Sequence, residues 1–216
     1  NLAATDQMLD SPTNNFCTFN AVDKSSTSVI LSEGSLSSSI PAAHTGVAAT
    51  QGVSSGKWYW EINAGAAANN SYYISICDTN NWSAPAKTQD NMYYSQYIWT
   101  YYGSTGGKVN NGTAPSYGST YTSGDIIGVA LDADAGSLTF YKNNVSQGVA
   151  FTGLSGNFAP WFGNGSSAAS VVGTANFGQD SSFAGNKTAQ GNTDANGIGD
   201  FYYTPPTGFL ALCTQN

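Results

Sequence analysis

"GDIIGVALDADAGSLTFYKNN", residues 124–144, supports two incompatible readings. Asp132, Asp134 and Gly136 are spaced like the start of a calcium loop, yet they also sit between two apolar runs, as the turn of a hairpin would. A calcium loop of the EF-hand type needs oxygen ligands at alternate positions, a glycine at its sixth place and a bidentate glutamate at its twelfth. Counted from Asp132, those places hold Ser137 and Asn143. The flanking runs settle the matter. Ile127, Val129 and Leu131 alternate with Ile126, Gly128 and Ala130, and Leu138 and Phe140 alternate with Thr139 and Tyr141. That is the period of a strand, not of a helix. Asp, Ala and Gly between such runs supply the local hydrogen bonds and backbone freedom of a reversal. The stretch predicts a metal-independent hairpin.

Composition carries the same message to the whole chain. Its 216 residues suffice for one large β-domain with a sizeable core. Only 9% of residues are charged, while Gly, Ser, Thr, Asn and Tyr dominate. A chain so poor in Lys, Glu and Arg cannot build the solvated faces of amphipathic helices, so almost no helix is expected. Arginine is absent, and thirteen acids against six lysines leave a net charge of −7. That field repels polyanions and anionic lipid, which argues against nucleic-acid partners and membrane surfaces. No apolar run is long enough to span a bilayer and no signal peptide is visible. The chain opens on Asn1 rather than Met and stops at "LCTQN", as a piece of a longer protein would.

Cys17, Cys77 and Cys213 form no CxxC pair, and His44 is the one histidine, so no zinc ligand set exists. Cys77 lies in the strand-like "YYISICD" and reads as a buried thiol. Cys17 and Cys213 could meet if the terminal strands pair, but an odd count without a secretory signal favours free thiols.

Short strand patterns follow one another, divided by Gly, Asn and Ser: "NFCTFN", "TSVILS", "SLSSSI", "HTGVAATQG", "KWYWEIN", "SYYISICD", the tyrosine-rich stretch 92–102, the opening hairpin, "GVAFT", "FAPWFG" and "SVVGTANFG". Such a series describes an antiparallel sandwich. The long irregular segments are 79–91, 103–124 and 179–200.

Four of these blocks carry a family resemblance. "SGKWYWEI" at 55–62, the opening stretch at 124–144, "GVAFTGLSGNFAPWF" at 148–162 and "ANFGQ" at 175–179 stand in the order and spacing of a SPRY domain. The resemblance implies a bent antiparallel β-sandwich of the concanavalin-like jelly-roll kind. It implies a non-catalytic binding module that holds partners with loops at one edge. The chain reads as one domain over 1–216, with core blocks at 55–179 and flanking segments at 1–54 and 180–216. The family's usual "YKNG" glycine is replaced by Asn144, which tolerates the left-handed conformation expected there. "DQMLDSPTNNFCTFN" at 6–20 and "FYYTPPTGFLALCTQN" at 201–216 look like the segments that bracket SPRY domains in bacteriophage tail and appendage proteins. That likeness implies a virion protein, assembled in a bacterial cytoplasm and displayed on the particle. Its partners would be a host-surface ligand, such as a glycan, or other virion proteins including copies of itself. The Gly-, Asn- and Thr-rich stretch 180–200 reads as a surface loop, either a floppy tip or a contact with a neighbouring subunit.

Catalysis lacks its parts. A glycosidase needs two carboxyls across the scissile bond, and Glu33 and Glu61 are the only glutamates, with Glu61 inside the structural "WYWE" block. His44, in "PAAHTG", has no nucleophile elbow beside it. No catalytic residue, metal ligand or cofactor site is assigned.

Binding rests on aromatic and amide side chains. In "NMYYSQYIWTYYG", Tyr93, Tyr97, Trp99 and Tyr101 share one parity and Tyr94, Ile98 and Tyr102 the other, so one set packs in the core. Trp82, in the polar "DTNNWSAPAKTQD", is either a loop anchor or a contact. The candidate ligand-binding set is Trp82, Asn81, Tyr93, Tyr94, Tyr102 and Tyr117, on loops 79–91 and 103–120 and their borders. Trp58, Trp60, Phe140 and Trp161 are assigned to the core. Six N-x-S/T triplets, at Asn69, Asn81, Asn111, Asn144, Asn164 and Asn186, are what such a composition yields by chance. A purely structural module packing against neighbours is the competing reading.

Overall fold

The computed structural model describes residues 14–41, 44–81 and 92–216. One antiparallel sheet runs in the order β1 (Phe19–Lys24), β4 (Gly46–Ala49), β12 (Phe158–Asn164), β6 (Tyr72–Asp78), β7 (Ile98–Tyr102) and β8 (Lys108–Val109). The other runs β11 (Val145–Phe151), β10 (Ser137–Lys142), β9 (Ile126–Asp132), β5 (Lys57–Ala67), β13 (Val171–Asn176), β3 (Ser37–Ile40) and β2 (Ile30–Ser32). A short strand, β14 (Leu210–Ala211), pairs parallel with β5 at Trp58 and Tyr59. The fold is thus the all-β sandwich expected, and a 3-10 turn at Met92–Tyr94 is the helical element among the described residues. The segment 92–97, expected as strand, turns there instead, and β7 starts only at Ile98.

The opening stretch is a hairpin. Leu138 pairs with Leu131 and Ser137 with Asp132. The two acids are committed to backbone: Asp132 Oδ1 accepts from Ala135 N at 2.9 Å, and Asp134 Oδ1 accepts from Gly56 N at 2.8 Å. Asp132 also meets Lys57 at 2.9 Å, and this cation and the turn hydrogen bonds hold its carboxyl below its usual range against the opposing pull of burial. Gly136 takes φ 60, the left-handed conformation that ends the turn. The next reversal places Asn143 at φ 47 and Asn144 at φ 68, the paired left-handed residues of a two-residue hairpin, which asparagine accepts where glycine is usual.

Trp60, Ile62, Ile127, Val129, Phe140, Phe158 and Phe162 meet between the sheets. Phe140 is fully buried, its ring 5.3 Å from Tyr101 and 6.1 Å from Tyr117. Trp58, assigned to the core, is only half-buried; it closes one end of the sandwich and its Nε1 donates to Ser55 O at 2.7 Å. Trp161 is buried, but on the outer face of the smaller sheet with Tyr73, Cys77 and Met92. Its indole lies across Gly46 and Gly163, where a Cβ on either glycine would overlap the ring.

Residues 16–17 pair with 212–213, with Phe16 opposite Cys213 and Cys17 N donating to Leu212 O at 3.0 Å. The thiols nonetheless stay free, because Cys17 follows Phe16 by one residue and faces the other way. Cys17 joins the inter-sheet core, whereas Cys213 joins Phe16, Tyr59 and Phe201 on the outer face of the larger sheet. Burial pushes the Cys17 thiol up to about 11.

The stretch 180–200 is a surface segment, exposed at 185–186, 188–191 and 195–197, but it is tied down at intervals rather than a floppy tip. Ser181, Phe183 and Phe201 are fully buried where residues 180–213 cross the outer face of the larger sheet. Carboxylates knit this strap. Asp180 accepts from Ser182 N at 2.8 Å and Ala184 N at 2.7 Å. Asp194 accepts from Ile198 N and Ala211 N, each at 2.9 Å, and Asp200 from Gly191 N at 3.0 Å. Internal hydrogen bonding of this kind lets a polar segment lie fixed against the sheet without a ladder of its own.

Candidate binding surface

The turns of one end of the sandwich are tied to one another. Thr79 N donates to Asn157 O at 2.8 Å, Ala133 N to Gly56 O at 2.9 Å, Leu154 N to Gly136 O at 3.0 Å and Asn111 N to Ser95 O at 3.0 Å. Within this rim, Asp78 caps the turn that follows β6, accepting from Asn80 N at 3.0 Å and Asn81 Nδ2 at 2.6 Å. The turn 92–97 is pinned from beneath by buried Met92, which packs with Cys77 and Ile98. Asn110 Nδ2 donates to Ile98 O at 2.9 Å and Gln96 O at 3.1 Å, and Gly112 N donates to Tyr93 O at 2.9 Å.

The product of that bracing is an aromatic pair on hydrogen-bonded turns, Tyr93 half-buried and Tyr94 exposed. Tyr94 is 62% exposed, its ring centroid 5.1 Å from that of Tyr93 at an edge-on 81°. Gly112, at φ 73, lies directly beneath it: a Cβ there would sit 2.9 Å from Tyr94 Cδ1. "VNNGT" at 109–113 is a strong turn signal, but its role as the support of Tyr94 needs the register of β7 and β8 and is invisible in sequence.

The five candidate residues that the structure describes do not form one site. Asn81, Tyr93 and Tyr94 share this end. Tyr102 sits four residues past Ile98 along β7, roughly 13 Å from the strand's start toward the opposite end, with its ring edge-on to Tyr73 at 4.9 Å. Tyr117 lies where β10 and β11 slip register; its hydroxyl accepts from Phe140 N at 3.2 Å and donates to Gly148 O. Around it, Ser119 N donates to Gln147 Oε1 at 2.9 Å, Lys142 Nζ to Thr120 O at 2.8 Å and the Tyr101 hydroxyl to Ser119 O. Residues 116–121 are therefore a clasp binding the smaller sheet to the β10–β11 edge, and of loop 103–120 the outward part is 111–116. Trp82 lies outside the described residues.

Glu61 is fully buried on the outer face of β5, accepting from Tyr202 N at 2.9 Å, Tyr203 N at 2.8 Å, Asn176 Nδ2 at 3.2 Å and the Tyr59 hydroxyl at 3.2 Å. Burial drives its carboxyl up to about 7 against the pull of those donors. It is sealed beneath the strap, away from any cleft. The open grooves among the described residues include two on this side of the larger sheet. One of about 570 Å³ is lined by Ala66, Ala67, Ala68, Ala168, Ala169, Ser170 and Val172, and one of about 330 Å³ by residues in which Glu33 is the one carboxyl. Neither presents the acid–base pair that hydrolysis requires.

A bent two-sheet sandwich with one rim of braced, tyrosine-bearing turns is the class of molecule this geometry defines. The SPRY domain family model matches residues 57–180, more than half of the chain, and the chain belongs to that family. Curated relatives include the Arabidopsis thaliana E3 ubiquitin-protein ligase RKP, 42% identical over 53 residues that cover 24% of this chain and 4% of that protein. Human Ran-binding protein 9 is 36% identical over 87 residues, covering 40% of this chain and 12% of that protein. The chain thus spans about an eighth or less of these relatives. Among solved structures, the SPRY domain of human HERC1 superposes with a TM-score of 0.62 at 18% identity, over 73% of this chain and 96% of that one. The TRIM65 PSpry domain gives a TM-score of 0.55 at 20% identity, over 74% and 92%.

Proposed function

We propose that this chain is a protein-binding module that acts without catalysis and holds its partner on the rim formed by turns 78–81, 92–97 and 110–116. The observation that carries the reading is Tyr94, a large aromatic kept exposed on a turn fixed by Met92, Asn110 and Gly112. Tyrosine on a rigid support gives contact area at low entropic cost, and Asn, Ser and Gly around it give adaptable hydrogen bonds. Membership of the SPRY family supports it, and neither groove holds a carboxyl pair. The test is a photo-crosslinking residue at position 94, with the same residue at Ser146 on the far edge strand as control. Protein adducts that form at 94 and not at 146 agree with the reading; equal yields overturn it.

Display on a phage particle, for recognition of a host surface or its glycans, is the narrower form of this proposal. It rests on the flanks 6–20 and 201–216 alone, because the relatives named above come from a plant and a vertebrate. Adsorption of particles bearing Tyr94→Ala tests it. The packing alternative draws on different residues: Val145 and Val149 on edge strand β11 are 65% and 55% exposed. Val145→Lys should disrupt such an assembly and leave rim binding untouched.

A further inference from the structure

Glu61 occupies an unusual place for a carboxyl, under a strap that carries the chain to its end and against which it is the main polar anchor. On β5 its neighbour on the same face is Tyr59; from β13 comes Asn176, from β9 the bare Gly128, from β10 Tyr141, and from the strap Asp200, Tyr202 and Tyr203. Asp200 is the charged group among these, and its own carboxylate is taken up by Ser181 N at 3.3 Å and Gly191 N at 3.0 Å. Among the described residues no lysine lies within ion-pair distance of Glu61.

Tyr59 makes both charge states of Glu61 hydrogen-bonded. Its hydroxyl reaches Glu61 Oε1 only because residue 128 is glycine: a Cβ there would stand 2.5 Å from the Tyr59 oxygen. When Glu61 is ionised, the phenol donates. When Glu61 is protonated, the carboxyl O–H turns to the phenol oxygen, and Tyr202 N, Tyr203 N and Asn176 Nδ2 keep their acceptors on the remaining lone pairs. Protonation leaves the phenol hydrogen without that acceptor, whereas ionisation holds an unpaired charge away from water, which is the larger cost here.

We propose that Glu61 makes the strap at 201–203 a proton-tightened latch, closed more firmly when the carboxyl is neutral and loosened as pH rises through neutrality. The sign follows from linkage. The latched carboxyl, at about 7, lies above its ordinary value of 4.5, so the latched state binds the proton more tightly. Latch stability is full below about pH 4.5 and is lost as pH rises through about 7. Between about pH 5 and pH 8 the latched-to-open ratio falls roughly 70-fold for that shift. Opening would free Tyr202 and Tyr203 and uncover the Tyr59–Phe201 ring pair, whose centroids lie 5.4 Å apart.

The experiment is amide hydrogen exchange of Tyr202 and Tyr203 in the full chain from about pH 5 to pH 8, corrected for intrinsic rates, alongside carbon NMR titration of the Glu61 carboxyl. Expected are a midpoint near neutrality and protection that falls by tens of fold across it. Glu61→Gln, which cannot titrate, should show protection independent of pH. A Glu61 midpoint at ordinary carboxyl values, protection flat with pH in the wild type, or the same pH dependence in Glu61→Gln would each overturn the proposal. If Glu61→Gln does not fold, the two wild-type measurements decide between these outcomes.

Discussion

Tyr117→Phe removes one oxygen atom and tests whether that residue is a ligand contact or a structural plug. In the fold, the hydroxyl fills the register slip between β10 and β11, taking the Phe140 amide at 3.2 Å and closing on Gly148 O. Phenylalanine retains the ring contacts with Tyr101, at 5.3 Å, and Phe140, at 6.1 Å, so packing is conserved and the hydrogen bonds alone are lost. An amide left without a partner beside a fully buried side chain costs about 1–3 kcal/mol. For a chain of this size each kcal/mol lowers Tm by about 2–4 °C, so a drop of about 2–12 °C is expected in a calorimetric melt. Partner binding should be unchanged. An unaltered Tm together with weakened binding would refute the reasoning and return Tyr117 to the contact surface.

Phe140→Ala empties the centre of the inter-sheet core and should cost about 3–5 kcal/mol in denaturant unfolding; near-native stability would mean that the β10 register is wrong. Gly163→Ala forces the Trp161 indole off its bed and should cost about 1–3 kcal/mol with a shifted tryptophan emission. Thiol reagents should label none of Cys17, Cys77 and Cys213 in the native protein and all of them after unfolding, since all three are buried and none is in a disulfide. Melts with calcium and with chelator should coincide, because Asp132 is taken up by Ala135 N and Lys57 and Asp134 by Gly56 N; a large rise with calcium would contradict this.

The sandwich was legible where period two was clean. Ile127, Val129 and Leu131 against Leu138 and Phe140 define a strand pair joined by a turn, and the structure pairs them accordingly. In "FAPWFG" nearly every residue is apolar, so parity could not tell that Phe158 and Phe162 face the core while Trp161 faces outward; both faces of that strand are covered. The strap was opaque for another reason. Its burial comes from isolated side chains, Phe183 and Phe201, held by Asp180, Asp194 and Asp200 capping nearby amides. Asp, Asn and Gly in that role have the composition of a loose loop. Of the candidate site, the sequence marked Asn81, Tyr93 and Tyr94 but not their separation from Tyr102, which depends on which end of β7 each occupies, nor the bulge that claims Tyr117.

The central claim, that the rim around Tyr94 is where a protein partner binds, is tested most directly by the affinity of the crosslink-identified partner for three proteins measured side by side. Tyr94→Ala should melt as the wild type does, because its side chain is largely exposed, and should bind about tenfold or more weakly, while Val145→Lys should bind as the wild type. Unchanged affinity in Tyr94→Ala with loss of binding in Val145→Lys would contradict the account and move the interface to the β11 edge.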